Sequence, residues 1–250
     1  MMLTEMRKRP LENTQLLLDN GAQVDVRDED GNTPLILAAK GTRRPEYIQL
    51  LIENGAAVNA RNNDGWTPLM IAARGSGWQS IQLLIKKGAE VNVRNNDGWT
   101  PLMIAARGPG WQNIQLLIKK GAEVNVRNND GWTPLMIAAR GSGWHYDSRN
   151  ENRSGRLILS IKGSDKLEFI QLLIEGGAEV NARNNDGWTP LMIAARWCNN
   201  SEIILWLLDN GADATAENKL GKKAIFYARD NNVALEDTSA LERLVQLAGE

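Results

Sequence analysis

The chain has 250 residues, with 29 Lys and Arg against 30 Asp and Glu, and 42% of its residues are hydrophobic. These proportions are typical of a folded protein with a sizeable core and argue against a disordered chain. A formal net charge of −1 favours neither a nucleic-acid coat nor a membrane-surface binder, so we expect no nucleic acid and no membrane as partner.

The single His145 and the single Cys198 exclude a cluster of His and Cys ligands, so we expect no metal site and no cofactor. No His or carboxylate arrangement surrounds Cys198 in the sequence, which argues against a catalytic thiol. We expect His145 to be a solvated loop residue. No stretch approaches the roughly 20 apolar residues of a membrane-spanning helix, and no secretory apolar run follows the basic N-terminus. We therefore expect a cytoplasmic protein, with export by a route that needs no cleavable signal left open.

In chain order, the first predicted element is a helix over Leu11–Ala22, preceded only by a stub of helix over Leu3–Lys8. The motif Thr-Pro-Leu then recurs at intervals of 34, 33, 33 and 56 residues. Its copies begin at Thr33, Thr67, Thr100, Thr133 and Thr189. A fixed period of this kind predicts equal units stacked side by side.

One unit illustrates the local chemistry. Gly65 follows Asp64 in a predicted turn, where glycine is free to take a positive φ. Thr67 is a predicted N-cap, and Pro68 suits the first helical position because its missing N–H would have no partner there. A second helix with an apolar stripe follows and ends at Gly88. Neither helix can bury its stripe within one unit, so stability must come from stacking.

The pattern D-G-x-T-P-L-x-x-A-A, followed by L-L-I-x-x-G-A-x-V-N, resembles the ankyrin repeat. The resemblance implies an all-α solenoid in which each repeat has a β-turn and two antiparallel helices. The family usually carries His after Thr-Pro-Leu, and we expect packing to replace its hydrogen bonds here. The residues at that position are Met70, Met103, Met136, Met192 and Ile36.

The interval of 56 residues has two explanations: a repeat with a 23-residue insertion, or a repeat that lacks its second helix near the middle of the array. The likeness of the segment from Leu157 to the segment from Leu35 favours the second. Within a single domain over 1–250, we therefore predict a partial N-terminal repeat (1–27), three regular repeats (28–127), an incomplete repeat (128–148), a degenerate repeat (149–182), a regular repeat (183–216) and a C-terminal capping repeat (217–250).

Four positions recur with a chemistry that packing does not require. By the resemblance, they lie on the turn tips and on the inner face of the first helices, the concave surface that ankyrin proteins commonly use for partners. Arg and Trp are enriched in interface hot spots. The predicted partner-binding residues are Arg61, Asp64, Trp66, Arg74, Arg94, Asp97, Trp99, Arg107, Arg127, Asp130, Trp132, Arg140, Arg183, Asp186, Trp188 and Arg196.

A structural explanation stands beside the functional one. Each of these indoles could be buried, or could lie against the arginine of its own or a neighbouring repeat and only stiffen the array. We expect them to be exposed, because they follow a turn. Arg61 and Asp64 could form a solvated ion pair, which contributes little. For the second tryptophan series, Trp78, Trp111 and Trp144, we predict packing between repeats.

These features predict a non-catalytic protein–protein interaction module that acts in trans, as an adaptor or an inhibitor, and we expect a monomer. The alternative is a receptor for a regular polymer, a glycan or a repetitive peptide, that binds along a tryptophan ladder. An enzyme is disfavoured, since acid–base catalysis needs a positioned titratable pair in a cleft.

Overall fold

The computed structural model describes residues 11–40, 45–75, 77–141, 164–198, 200–231 and 238–249. Within these ranges the regular secondary structure consists of thirteen α-helices without any strand. None of these helices combines the length and the apolar character that crossing a bilayer requires. The chain divides into two compact units, Met1–Glu123 and Val124–Glu250. The prediction of an all-α repeat architecture is confirmed.

The first unit contains two layers of helices. The first helices of successive repeats stack on one another, α2 on α4 and α4 on α6, and the second helices form the other layer, in which α1 contacts α3, α3 contacts α5 and α5 contacts α7. The bounds are α1 (Leu11–Asp19), α2 (Pro34–Ala39), α3 (Pro45–Glu53), α4 (Pro68–Ala73), α5 (Trp78–Lys86), α6 (Pro101–Arg107) and α7 (Trp111–Lys119). The predicted N-terminal helix is thus present as α1, whereas the stub over Leu3–Lys8 lies outside the described residues.

The second unit repeats this arrangement with six helices. α8, α10 and α12 stack as first helices, and α9, α11 and α13 form the layer of second helices. The bounds are α8 (Pro134–Ala139), α9 (Ser164–Glu175), α10 (Pro190–Trp197), α11 (Ser201–Asp209), α12 (Ala224–Asn231) and α13 (Ser239–Ala248). α12 and α13 are the last two helices, and α12 does not begin with the Thr-Pro-Leu motif.

The turn and cap chemistry of each repeat explains where its first helix begins. The Thr67 side chain accepts a hydrogen bond from the Met70 amide at 3.4 Å, and Pro68 is the first helical residue. Gly65 has a φ of +79°, and a Cβ there would lie 2.6 Å from the Asn96 side-chain oxygen of the next repeat. Glycine is therefore required both by the backbone conformation and by the close approach of the neighbouring turn.

The methionines that replace the usual histidine lie in the core. Met70 and Met103 in the first unit, and Met136 and Met192 in the second, are all buried. The prediction that packing replaces hydrogen bonding at this position is confirmed. Flexible, apolar methionine fills the space between stacked first helices.

The prediction that the repeat beginning near Asn128 lacks its second helix is wrong. α8 packs against α9 as its second helix, and α8 also contacts α10 directly, which leaves no place for a further first helix between them. The Asn185 amide donates to the Asp130 carbonyl at 3.1 Å, as the Asn96 amide donates to the Asp64 carbonyl at 3.1 Å in the regular repeats. The two turns are therefore successive turns of the array.

The segments assigned to an incomplete repeat (128–148) and a degenerate repeat (149–182) thus belong to one repeat with an insertion, the first of the two explanations. Residues 142–163, which include Trp144 and His145, lie between α8 and α9 and outside the described residues. The likeness of Leu157 onward to Leu35 onward misled the prediction: its second half corresponds to the second helix α9, and its first half lies outside the described residues.

Asparagines at the end of each repeat connect it to the next. The Asn92 side chain accepts from the Glu123 amide at 3.0 Å and donates to the Gly121 carbonyl at 3.0 Å. Asn125 in the second unit does the same, donating to the Gly177 carbonyl at 2.9 Å and accepting from the Glu179 amide at 2.8 Å. This contact spans the insertion, so the stacking register continues through it.

Candidate functional site

The candidate site is formed by the turns and first helices of the repeats, and an asparagine positions each turn. The Asn62 side-chain oxygen accepts hydrogen bonds from the amides of Asp64 at 3.1 Å and Trp66 at 2.8 Å. These two bonds hold the turn and set where the indole leaves the backbone. The same pair of bonds recurs at Asn95, Asn128 and Asn184. We did not single out these asparagines from the sequence, although they precede each turn in all four copies.

The arginines that precede the turns link one repeat to the next. Arg61 donates from Nη2 to the Arg94 carbonyl at 2.7 Å, and Arg27 donates from Nη1 to the Arg61 carbonyl at 2.7 Å. In the second unit Arg127 donates to the Arg183 carbonyl, and Arg183 donates to the Glu217 carbonyl. All four side chains contribute to the cohesion of the array, and their guanidinium groups are only partly available to a partner.

The tryptophans that precede Thr-Pro lie beside the arginines at the ends of the first helices. In the first unit the Arg74 guanidinium lies 5.5 Å from the centre of the Trp66 ring. In the second unit Arg140 lies 5.7 Å from the Trp132 ring and Arg196 lies 5.3 Å from the Trp188 ring. These distances are within the range of a cation–π interaction. The structural explanation, an indole stacked on the arginine of its own repeat, therefore describes these three pairs.

The exposure of the indoles differs between repeats. Trp66, Trp99 and Trp132 are half-buried, so part of each ring remains accessible to a partner. Trp188 is 9% exposed, and the expectation of an exposed indole is wrong there. Its ring stacks on Tyr227 with centroids 4.4 Å apart and on Trp197 with centroids 5.1 Å apart.

A continuous cluster of aromatic rings and arginines connects α8, α10 and α12 in the second unit. Arg140 lies 4.5 Å from the Trp197 ring as well as near Trp132. Arg196 lies 4.7 Å from Trp197 and 5.4 Å from Tyr227. Sequence analysis missed Trp197 and Tyr227. The available signal was that Trp197 stands where the other repeats have a glycine after the arginine.

Exposed carboxylates lie at the turn tips. Asp64 and Asp97 in the first unit, and Asp130 and Asp186 in the second, are all exposed. Each is positioned by the asparagine two residues earlier, whose side chain accepts its amide hydrogen. Each turn therefore presents an acidic tip, and an arginine lies at or next to the C-terminal end of the first helix after it.

The second tryptophan series lies at the start of the second helices. Trp78 is 39% exposed, more than packing between repeats predicts, whereas Trp111 is half-buried. These rings begin α5 and α7 and belong to the layer of second helices. They provide tryptophans of the same chemistry outside the candidate site.

Cys198 lies at the end of α10 and is only 3% exposed. Burial raises the pKa of its thiol, although a hydrogen bond with the Asn200 backbone and, more weakly, the charge of Lys166 act in the opposite direction. A thiol in this environment is largely protonated and a poor nucleophile. Among the described residues, no group of three or more His, Cys, Asp or Glu side chains is placed to hold a metal ion.

A family profile described as "Ankyrin repeats (3 copies)" matches residues 2–95, 74–148 and 143–218, and so covers most of the chain. No curated protein matches the sequence.

Proposed function

The chain belongs to the ankyrin-repeat family, whose repeats mediate protein–protein interactions, and we propose that it binds another protein through its Trp/Arg turn-and-helix surface. This surface comprises the turn tips and the exposed edge of the first helices, with the sixteen residues predicted from the sequence. The protein then acts in trans, as an adaptor or as an inhibitor that covers part of its partner.

The observation that supports this proposal is the restrained, half-buried indole beside an arginine. Trp66 and Trp132 each keep part of their surface accessible while Arg74 and Arg140, respectively, lie against them. A ring held in this way loses little conformational freedom on binding, and such rigid aromatic anchors are typical of hot spots. Packing alone does not require an aspartate at the turn tip and an arginine at the helix end in the same repeat.

Within this surface the residues have different roles. The half-buried indoles are the apolar anchors, Arg74 and Arg140 are placed to pair with carboxylates or carbonyls, and the exposed turn aspartates select against acidic partners near the tips. Arg61, Arg94, Arg127 and Arg183 contribute less, because three of them donate to the backbone of the next repeat. Trp188, which is buried in the aromatic cluster, supports the surface rather than contacting the partner.

A receptor for a regular polymer is the weaker candidate. Stacking on sugar rings needs open indole faces, and an arginine lies over the rings of Trp66 and Trp132. The tryptophans also differ in exposure from one repeat to the next, so they do not form a uniform ladder. Titration with polysaccharides, followed by tryptophan fluorescence, tests this alternative directly.

The test compares the wild-type chain with a Trp99→Ala/Trp132→Ala double variant in affinity capture from a lysate of the source organism. Trp78→Ala is the matched control, because Trp78 is exposed but begins a second helix. We expect one protein to bind the wild type and the control, and to bind the double variant at least tenfold more weakly, since hot-spot losses commonly exceed 1.4 kcal/mol. A partner that binds all three chains equally contradicts the proposed surface.

A further inference from the structure

The first unit contains a pocket of about 230 Å³ between the ends of α2 and α4 and the start of α5. Lys40, Arg74 and Ser80 provide its polar lining, and Gly75 and Gly77 bring the backbone close. We propose that this pocket binds a phosphate group. The volume is sufficient, since an engineered cavity of about 150 Å³ holds a benzene molecule.

Two cations provide the charge. Lys40 and Arg74 are the C-cap residues that follow α2 and α4, and both are exposed, so the pocket opens to solvent at this side. The lining contains no acidic side chain. No ion pair found among the described residues involves either Lys40 or Arg74. The Trp66 ring, 5.5 Å from the Arg74 guanidinium, restrains this side chain beside the pocket.

The buried wall of the pocket adds a hydroxyl without a partner. Ser80 is 2% exposed, and its Oγ makes no hydrogen bond within the part of the chain that the structure describes. An unsatisfied buried polar group costs about 1–3 kcal/mol, so such groups normally have a partner. A phosphate oxygen in the pocket would accept the hydrogen bond that this hydroxyl can donate.

The start of α5 provides a third source of positive potential. α5 has nine residues, and no side chain caps its first turn because the N-cap is Gly77. The N–H groups at a helix start carry a partial positive charge and commonly bind phosphate. Gly77 and Ser80 both line the pocket. The Ser80 amide already donates to the Gly77 carbonyl at 3.1 Å, so the helix start contributes its positive potential rather than the Ser80 N–H.

Three carbonyl groups of residues that line the pocket accept hydrogen bonds from the protein itself. The Ile71 carbonyl accepts from the Arg74 amide at 3.3 Å, and the Ala72 carbonyl accepts from the Gly75 amide at 3.2 Å. The Gly75 carbonyl accepts from the Asn113 side chain at 2.5 Å. These bonds reduce the negative potential of the wall, and the lining therefore offers mainly donors and positive charge.

The next repeat shows how the pocket arises. Asn113 occupies in α7 the position that Ser80 occupies in α5, and its larger side chain reaches the Gly75 carbonyl of the preceding repeat. Gly108, at the position of Gly75, lies so close to Arg74 that a Cβ there would be 3.2 Å from the Arg74 carbonyl. The smaller serine leaves the corresponding space open one repeat earlier.

The source of the phosphate is either free inorganic phosphate or the phosphorylated side chain of a partner protein. Both present the same tetrahedral oxyanion to Lys40, Arg74 and Ser80. The site is independent of the proposed protein-binding surface in its test, because phosphate binding is measured with no partner present. The two proposals share Arg74, but failure of the phosphate titration and failure of the affinity capture can be told apart.

The first experiment titrates the full chain, labelled with ¹⁵N, with inorganic phosphate at constant ionic strength, with chloride as the reference anion. We expect saturable shifts of the Gly77 and Ser80 amide signals with a dissociation constant of about 1 mM, which is typical of a small solvent-accessible site. Ser80→Asn gives this position the side chain that the next repeat has at Asn113, which should fill the pocket and weaken phosphate binding at least tenfold. Lys86→Gln, which removes an exposed cation at the opposite end of α5, should bind as the wild type does.

Arg74→Gln and Lys40→Gln provide a second route, since both side chains are exposed and their loss leaves the helices intact. Each should weaken phosphate binding several-fold, and far-UV circular dichroism checks that each variant is folded. Shifts that stay linear with concentration, or that chloride produces equally, show that no phosphate site exists. Undiminished binding by Ser80→Asn and by Arg74→Gln likewise overturns the proposal.

The second experiment identifies the source by comparing inorganic phosphate with blocked phosphoserine and blocked serine. Tighter binding of phosphoserine than of inorganic phosphate assigns the pocket to a phosphorylated side chain. Equal or weaker binding of phosphoserine assigns it to free phosphate. Binding of unmodified serine as strong as that of phosphoserine contradicts a phosphate site.

Discussion

Asparagine side chains hold each turn in position, because the oxygen of one side-chain amide accepts hydrogen bonds from two backbone N–H groups. Asn95 is 5% exposed and its oxygen accepts from the amides of Asp97 and Trp99. Its removal leaves two backbone donors without their partner in a partly buried turn, which is costly. The exposed turn aspartates depend on these buried asparagines for their position, as do the half-buried indoles.

We expect Asn95→Ala to lower the free energy of unfolding by about 1–3 kcal/mol, through the loss of the two hydrogen bonds. Urea denaturation followed by circular dichroism measures this change. Gln82→Ala is the control, since Gln82 is exposed in α5 and such surface changes stay within about 0.5 kcal/mol. A loss no larger than that of the control would show that solvent replaces the Asn95 bonds.

At the scale of helices, the pairing of α8 with α9 shows that the array tolerates an insertion between the two helices of one repeat. The Asn125 contacts to Gly177 and Glu179 keep their regular geometry across 52 and 54 residues of chain. Loop closure costs only about 0.6 kcal/mol for each doubling of loop length. Stacking of α8, α9 and α10 therefore outweighs the entropy of the longer connection.

We expect a variant that lacks residues 143–165, and so restores the interval of 33, to fold with a stability at least equal to that of the full chain. Removal of the equally long segment 153–175 deletes the whole of α9 and should unfold the second unit. Far-UV circular dichroism and urea denaturation distinguish the two variants. The reverse outcome, an unfolded first variant, would mean that the deleted residues carry essential packing.

At the scale of the whole molecule, each unit derives its stability from contacts between successive repeats. First helices stack on first helices and second helices on second helices, so no repeat buries its apolar face alone. A substitution that destabilises one repeat should therefore also destabilise the neighbouring repeats of the same unit. Cys198 is a natural reporter for the second unit because it is buried and carries the chain's only thiol.

We expect Leu244→Ala in α13 to increase the labelling rate of Cys198 by a thiol reagent at pH 8 at least tenfold. Leu244 is fully buried, its truncation costs about 2–5 kcal/mol, and labelling requires opening of the unit. Gln82→Ala in the first unit should leave the rate unchanged. An unchanged rate for Leu244→Ala, with lowered stability, would show that the last repeat opens alone.

The raised pKa of Cys198 gives the same experiment a defined pH dependence. The unfolded thiol loses its proton near its ordinary value of about 8.5, whereas the native thiol retains its proton to higher pH. The folded state therefore loses stability as pH rises above about 8.5, and labelling should accelerate there beyond the effect of thiolate formation alone. Cys198→Ala should abolish this part of the stability profile.

Local chemistry made the turn and cap residues predictable. Gly65, Thr67 and Pro68 act through their own backbone conformation and the next few residues, so their roles follow from the sequence of one repeat. The period of 33 made the all-α stacked architecture predictable, since a helix pair of this length cannot bury its stripe alone. The same period located the tryptophans and arginines, although it did not determine their exposure.

Three features depended on residues that are distant in the chain and could be known only from the fold. Trp188 is buried because Tyr227 and Trp197 come from other parts of the second unit to stack on it. α9 proved to be the partner of α8 because stacking, and not sequence likeness, selects which helices touch. The pocket at Ser80 exists because a serine faces α2 and α4 where the next repeat places an asparagine, and packing between repeats converts that small difference in volume into a space that a ligand can enter.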